Sequence, residues 1–135
     1  MGSKNNMNEL FGEVIYAYTR KQAIADGVLI DVSKMAKEAG IRFPVAVTSA
    51  VWHDYVLPDK ELSNYGQSED GRLWDILWMF RCSARKNASD IMCFDLYFLM
   101  NGNSTPEQKL VTLKAVCGPG DKGEPVITIM KTDED

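Results

Sequence analysis

Apolar and polar positions along this chain change period several times, and the changes mark out its elements. The clearest case comes late. Residues 110–116 (Leu-Val-Thr-Leu-Lys-Ala-Val) and 126–130 (Val-Ile-Thr-Ile-Met) are β-branched runs, and the connector 117–125 between them is almost wholly turn formers. That arrangement predicts two strands folding back on each other. Ahead of them, residues 93–100 alternate, with Phe94, Leu96, Phe98 and Met100 on one side and Asp95 and Tyr97 on the other, as in a half-buried antiparallel strand. Residues 101–106 form the turn between. Over about 70–86 the period lengthens: Leu73, Ile76, Leu77, Phe80 and Ala84 recur at three- and four-residue spacing, which gives one apolar helical stripe. Trp74, Trp78, Arg81 and Arg85 fall on the adjoining face.

The first half is less regular. Residues 1–9 are polar and expected to be loose, and Met1-Gly2-Ser3 has the form of an expression-tag remnant. Residues 11–18 predict a short strand with Val14, Tyr16 and Tyr18 on one side. Thr19-Arg20-Lys21-Gln22 has the form of a capping box, in which hydroxyl and amide satisfy each other's backbone N–H groups. The helix it opens should stop at Gly27, suited to the left-handed position after a helix. Residues 28–32 form an apolar run expected as an extended link. Ser33 is the expected cap of a second short helix over 34–39, ended by Gly40. Residues 43–47 should be extended, because the residue before Pro44 avoids the helical region. Thr48 or Ser49 then caps a third helix carrying Trp52 and Tyr55 and closed by Pro58, and residues 58–71 make the longest loop, a length that is uncommon in compact domains.

Short helices first and strands last predict an α+β fold. The expected architecture is a small antiparallel sheet of three to four strands, a C-terminal meander, packed by one long helix. Residues 10–131 make one domain, followed by an acidic tail over 132–135. The two largest apolar surfaces should meet, placing Leu77 and Phe80 against Phe94, Leu96 or Phe98.

Composition narrows the classes. The chain has 135 residues, 45% of them hydrophobic, with three Trp, five Tyr and five Phe, enough for a substantial core. A net charge of −4 gives no overall attraction to nucleic acid or anionic membranes. No run approaches the roughly 20 apolar residues that cross a bilayer, and the N-terminus lacks the apolar core of a signal peptide. Cys82, Cys93 and Cys117 are odd in number and never in a C-x-x-C pair, which points to a reducing cytoplasm rather than a disulfide framework.

Candidate chemistry is sparse. His53 is the sole histidine, so no HExxH motif or Cys/His cluster exists and neither a metal nor a cofactor is expected. A surface or structural role suits His53 better than that of a general base with no identified nucleophile. Residues 118–123 (Gly-Pro-Gly-Asp-Lys-Gly) hold the ingredients of an anion nest, yet a strand rather than a helix follows. A plain hairpin turn is the better account. Arg81, Arg85 and Lys86 end the long helix, where cations complement the macrodipole; with Trp74 and Trp78 they also have the makings of a stacking nucleic-acid site. Paired tryptophans more often mark a core, and the net charge opposes nucleic acid. Trp74, Trp78, Arg81 and Arg85 nonetheless stand with Tyr65 as the partner-binding candidates. Asp31, Asp54, Glu69, Asp70, Asp75 and Asp95 show no catalytic spacing, and no catalytic residue is assigned.

Four blocks carry a family resemblance: residues 10–16 (Leu-Phe-Gly-Glu-Val-Ile-Tyr), 22–32 (Gln-Ala-Ile-Ala-Asp-Gly-Val-Leu-Ile-Asp-Val), 72–79 (Arg-Leu-Trp-Asp-Ile-Leu-Trp-Met) and 116–121 (Val-Cys-Gly-Pro-Gly-Asp). Together they resemble an uncharacterised bacterial family, domain of unknown function 6573, over nearly the whole chain from Asn8 to Asp135. The resemblance implies a setting in bacteria, plasmids and phages, no assigned catalytic residues, and tolerance of change over about 83–107. In that setting the leading expectation is a cytoplasmic, non-enzymatic module that binds a protein partner, for instance one that inhibits a bacterial defence system. Its surface would involve the 58–71 loop, Tyr65 and the acidic tail. The alternative is a small-ligand or nucleotide-processing enzyme, with a pocket between the long helix and the N-terminal blocks built from Arg20, Asp26, Asp31 and His53. Nucleic-acid binding ranks third.

Overall fold

A computed structural model describes residues 18–84, 89–102 and 104–134. The expected strand over 11–18 falls almost wholly outside them. In chain order the elements are α1 (Arg20–Ala25), β1 (Leu29–Asp31), α2 (Ser33–Glu38), β2 (Val45–Thr48), α3 (Ser49–Val51, running into a π-helical turn Trp52–Val56), α4 (Lys60–Ser63), α5 (Glu69–Ala84), β3 (Ile91–Met100), β4 (Glu107–Pro119) and β5 (Pro125–Lys131).

The class is α+β, and β3, β4 and β5 form the expected antiparallel meander. The sheet is larger than expected, however. It has five strands in the order β1-β2-β5-β4-β3, and it is mixed, because β2 runs parallel to β5 with Val45 opposite Ile127 and Val47 opposite Ile129. The runs read as extended links are strands. Val45, Ala46 and Val47 are all buried, as befits a central strand covered on both faces. A three- or four-residue apolar run becomes a strand only through its partner, and the partner of β2 lies some eighty residues away in the chain.

One face of the sheet carries α5. Leu73, Ile76, Leu77 and Phe80 are buried with Phe94, Leu96, Phe98, Leu113, Ile127 and Ile129 in one core. Phe80 meets Phe94 edge-on, with ring centroids 5.9 Å apart, as the two apolar patterns required. Tolerance of change over 83–107 therefore stops at Phe94, Leu96 and Phe98, which face this core. Alternation along β5 turns Thr128 to the opposite face, where α1 lies. There Arg20 Nη1 donates to Thr128 Oγ1 at 2.7 Å and Nη2 to the Ile127 carbonyl at 2.8 Å.

Local signals behave as their chemistry dictates, with three corrections. Thr19 closes its capping box with Gln22, Thr48 caps α3, and Gly27 and Gly40 take the positive φ that ends each preceding helix. Ser33, by contrast, does not cap α2 but begins it. Its hydroxyl donates to Asp31 Oδ1 and accepts from Val45 N–H, tying the helix start to the sheet. Half of the 58–71 loop is helical: Asp59 caps α4 by accepting from Leu62 N–H, and α5 has begun by Glu69. The acidic tail is not simply solvated, since the Glu134 carboxylate accepts from Thr48 Oγ1 at 2.8 Å and Lys131 N–H at 2.7 Å.

The glycine connector is shorter than its composition suggests, with only Gly120–Glu124 between the strands. Its Asp121 carboxylate accepts the Arg20 and Lys21 N–H groups at 2.8 and 3.0 Å, and Glu124 Oε1 accepts from Lys122 N–H. The loop thus brings its own anions, and its Gly120, Lys122 and Gly123 N–H groups are bonded within the turn.

Two expectations follow. Phe80→Ala should destabilise by about 3–5 kcal/mol in chemical denaturation, and a loss below about 1 kcal/mol would contradict the helix-on-sheet core. The backbone N–H bonds from Arg20 and Lys21 hold the Asp121 carboxyl below the usual carboxylate range. A depressed folded-state pKa stabilises above the unfolded value of about 3.9, and the contribution is lost as pH falls through the folded value. Thermal melts should find wild type above Asp121→Asn near neutrality, the gap closing only in that acid range.

Candidate functional site

The four ligand-binding candidates are not brought together. Arg20 and Asp31 border one shallow cleft with Asp121 and Glu124. Asp26 accepts from the Tyr18 hydroxyl at 2.6 Å, a bond that raises the Tyr18 pKa. His53 is exposed in a separate depression beside Asp54, Asp59, Arg72, Asn101 and Lys109. The four groups are spread over separate places because each is held by its own partner or stands apart: Arg20 holds β5, Asp26 holds Tyr18, Asp31 holds Ser33, and His53 lies in the other depression. Among the described residues no three His, Cys, Asp or Glu side chains gather to hold a metal ion. No helix there is long and apolar enough to cross a membrane.

The partner-binding candidates fare differently. Arg85 lies outside the described residues, and Tyr65 is exposed just after α4. Trp74 and Trp78 are not core residues, being 37% and 41% exposed. The core reading fails because the sheet covers only the arc of α5 holding Leu73, Ile76, Leu77 and Phe80, and positions 74 and 78 sit about 100° around the helix from 73 and 77. One turn apart, their rings stack with centroids 6.0 Å apart and planes 11° off parallel. Arg81 extends the row, its guanidinium carbon 5.4 Å from the Trp78 ring centroid. Such a contact is worth about 0.5–1 kcal/mol at exposed sites and holds the arginine in place.

Arg81 is also where the row meets a largely apolar cleft of about 480 Å³. Its floor is Phe80, Ala84, Met92, Ala115, Cys117 and Ile127, and its far wall is Gly40–Phe43. Gly40 makes the junction possible. Its φ is +92°, and a Cβ there would sit 2.5 Å from Arg81 Nε, so any side chain would displace the arginine. The enzyme alternative placed its pocket between the long helix and the N-terminal blocks; this cleft borders the long helix but lies against residues 40–43, outside those blocks. It is lined by an apolar floor, two arginines, Ser89 and Asp90, not by Arg20, Asp26, Asp31 and His53.

Sequence reasoning missed Ile41, Arg42 and Phe43. A signal was present: two large apolar residues flank an arginine in a segment that Pro44 keeps out of any helix, so they had no stripe of their own to join. Buried Arg72 was also missed. It is 2% exposed, and burial pulls its pKa below the ordinary guanidinium value, against the Asp75 and Asp59 carboxylates.

The architecture is thus an α+β fold with a five-stranded mixed sheet, carrying an aromatic row and an apolar cleft on the helical side. The chain belongs to the family described as "Family of unknown function (DUF6573)", whose sequence model matches residues 6–135. No curated protein and no solved structure matches it.

If the row is surface chemistry rather than core, Trp74→Ala and Trp78→Ala should each cost only about 1 kcal/mol, the worth of a stacked pair. Chemical denaturation that finds losses near those of buried aromatics would assign the row to folding.

Proposed function

We propose that the chain is a non-enzymatic protein-binding module that engages its partner through the outward face of α5. The observation that carries this reading is the Trp74–Trp78–Arg81 stack: two exposed tryptophans on successive turns, faces together, with an arginine laid over the end. Tryptophan, tyrosine and arginine dominate the energetics of protein interfaces, and exposed apolar groups gathered in one place mark interaction surfaces. The stacked rings lose little further freedom on binding, which lowers the entropic cost of association.

An enzyme built on Arg20, Asp26, Asp31 and His53 is the weaker reading, since three of these groups are engaged in structural bonds and the fourth stands apart. The cytoplasm suits the three cysteines, which are free among the described residues. The family resemblance, with its setting on bacterial mobile elements, makes host proteins, including defence machinery, the first partners to screen.

Capture from a bacterial lysate with immobilised wild type and with the double variant Trp74→Ala/Trp78→Ala tests the proposal. A specific protein retained by wild type and lost, at least about tenfold, with the variant is expected. Equal recovery by both would sink the assignment of the surface, and no protein above background with wild type would sink the function.

A further inference from the structure

We infer that the cleft beside Arg81 receives a large apolar side chain of a partner polypeptide, flanked in that partner by carboxylates. This rests on the protein-binding reading and names the chemistry of the segment bound. The floor offers no charged group: Phe80, Ala84, Met92, Ala115, Cys117 and Ile127 are apolar or nearly so. The floor itself presents carbon and one thiol, which suits an aliphatic or aromatic side chain, while Ser89 and Asp90 also line the cleft. The polar edges of a nucleic-acid base would find their partners only at the edge of the cleft, not on this floor.

The mouth of the cleft is cationic. Arg42 is exposed on one side and Arg81 half-buried on the other. Neither makes a salt bridge among the described residues, where the only such pair is Lys131 with Asp54. One carboxylate, Asp90, also borders the cleft, so among the described residues the rim carries two positive charges against one negative. On a chain of net charge −4 such a local excess is selective. It attracts acidic groups where the molecule as a whole repels them, and charge complementarity of this kind sets specificity and association rate. Arg81 is held over Trp78 at one end and lies against Gly40 at the other. The aromatic row therefore leads without a break into the cleft. A bound segment would lie along Trp74 and Trp78, pass Arg81, and set its apolar anchor between Phe43 and Met92.

The test uses the full chain and two short fluorescein-labelled peptides. One alternates leucine and phenylalanine with aspartate; in the other every aspartate is replaced by lysine. The aspartate peptide should bind, shifting the amide resonances of Phe43, Met92 and Cys117, and the lysine peptide should not. Arg42→Glu should weaken binding about tenfold. Lys37→Glu makes the same change in net charge on α2 and should alter binding less than about twofold. Binding should weaken as salt is raised, because the arginine heads are screened. No binding of the aspartate peptide, equal binding of the lysine peptide, or equal losses in the two charge variants would overturn the inference. So would tighter binding of labelled oligothymidylate at the same amides, which would make the ligand a nucleic acid, or a concentration-dependent dimer whose dissociation shifts those amides. Partner capture that depends on Trp74 and Trp78 but survives Arg42→Glu would overturn the acidic motif and leave the protein-binding reading standing.

Discussion

The guanidinium of Arg72 lies inside the protein, and no carboxylate among the described residues is within ion-pair distance of it. Nε donates to the Tyr55 carbonyl at 2.5 Å, and Nη1 to Gln67 Oε1 and the Leu99 carbonyl at 3.0 and 2.9 Å. Its flat face lies 4.7 Å from the centre of the Phe98 ring, which in turn stacks on Tyr55. Burying such a charge costs several kcal/mol. Charge-assisted bonds to two main-chain carbonyls, each worth about 1.5–3 kcal/mol, and a desolvated cation–π contact of about 2 kcal/mol are of a size to offset it. The gain is geometric. One side chain joins α5, the π-helical turn, the segment after α4 and the end of β3. With Phe80 wedged against Phe94 at its other end, α5 cannot turn about its axis, and that fixes where Trp74 and Trp78 point.

The polar residues that look most like chemistry are used the same way on the rest of the molecule. Asp31 bonds Ser33 at the start of α2, Asp59 caps α4, and Asp121 reaches from the β4–β5 turn to the first amides of α1. Glu134 joins the end of β5 to Thr48, and its carbonyl accepts from Lys114 Nζ. Short helices need such anchors, because a helix of four to six residues is far below the length that stands alone in water. Each of these carboxylates is thus an anchor for the start of a helix or the end of a strand.

What was legible in the sequence was what local periodicity controls. The stripe on α5, the alternation in β3 and the C-terminal hairpin each repeat over many residues, and so did the Phe80–Phe94 contact they imply. Thr19 and Gln22 announced a cap because both halves of it lie within one turn. What was not legible depends on distant partners. β2 is a strand only because β5 lies beside it, Asp121 is a helix cap only because α1 arrives a hundred residues earlier in the chain, and Arg72 reads as an ordinary helical arginine until Tyr55 and Leu99 surround it. The site was half legible: positions 74, 78 and 81 were visible as a face, but whether that face meets a sheet or water depends on how wide an arc the sheet covers. Residues 41–43 had no periodic signal at all.

The described residues expose apolar groups on two sides of the fold. On the outward side of β3 and β4, Tyr97 and Leu110 face each other across the strands, with Ile91 further along. Between them sit Cys93 opposite Lys114 and Asp95 opposite Thr112, the latter pair bonded at 2.5 Å, so polar groups break the surface into separate islands. Apolar residues exposed singly or in pairs are ordinary on soluble proteins. The α5 surface differs in continuity: the two indoles touch each other, Arg81 touches the second, and the cleft begins at Arg81. Contact among these residues sets their geometry in the free chain, and groups ordered in that way have less freedom to lose on association than apolar groups that merely lack cover.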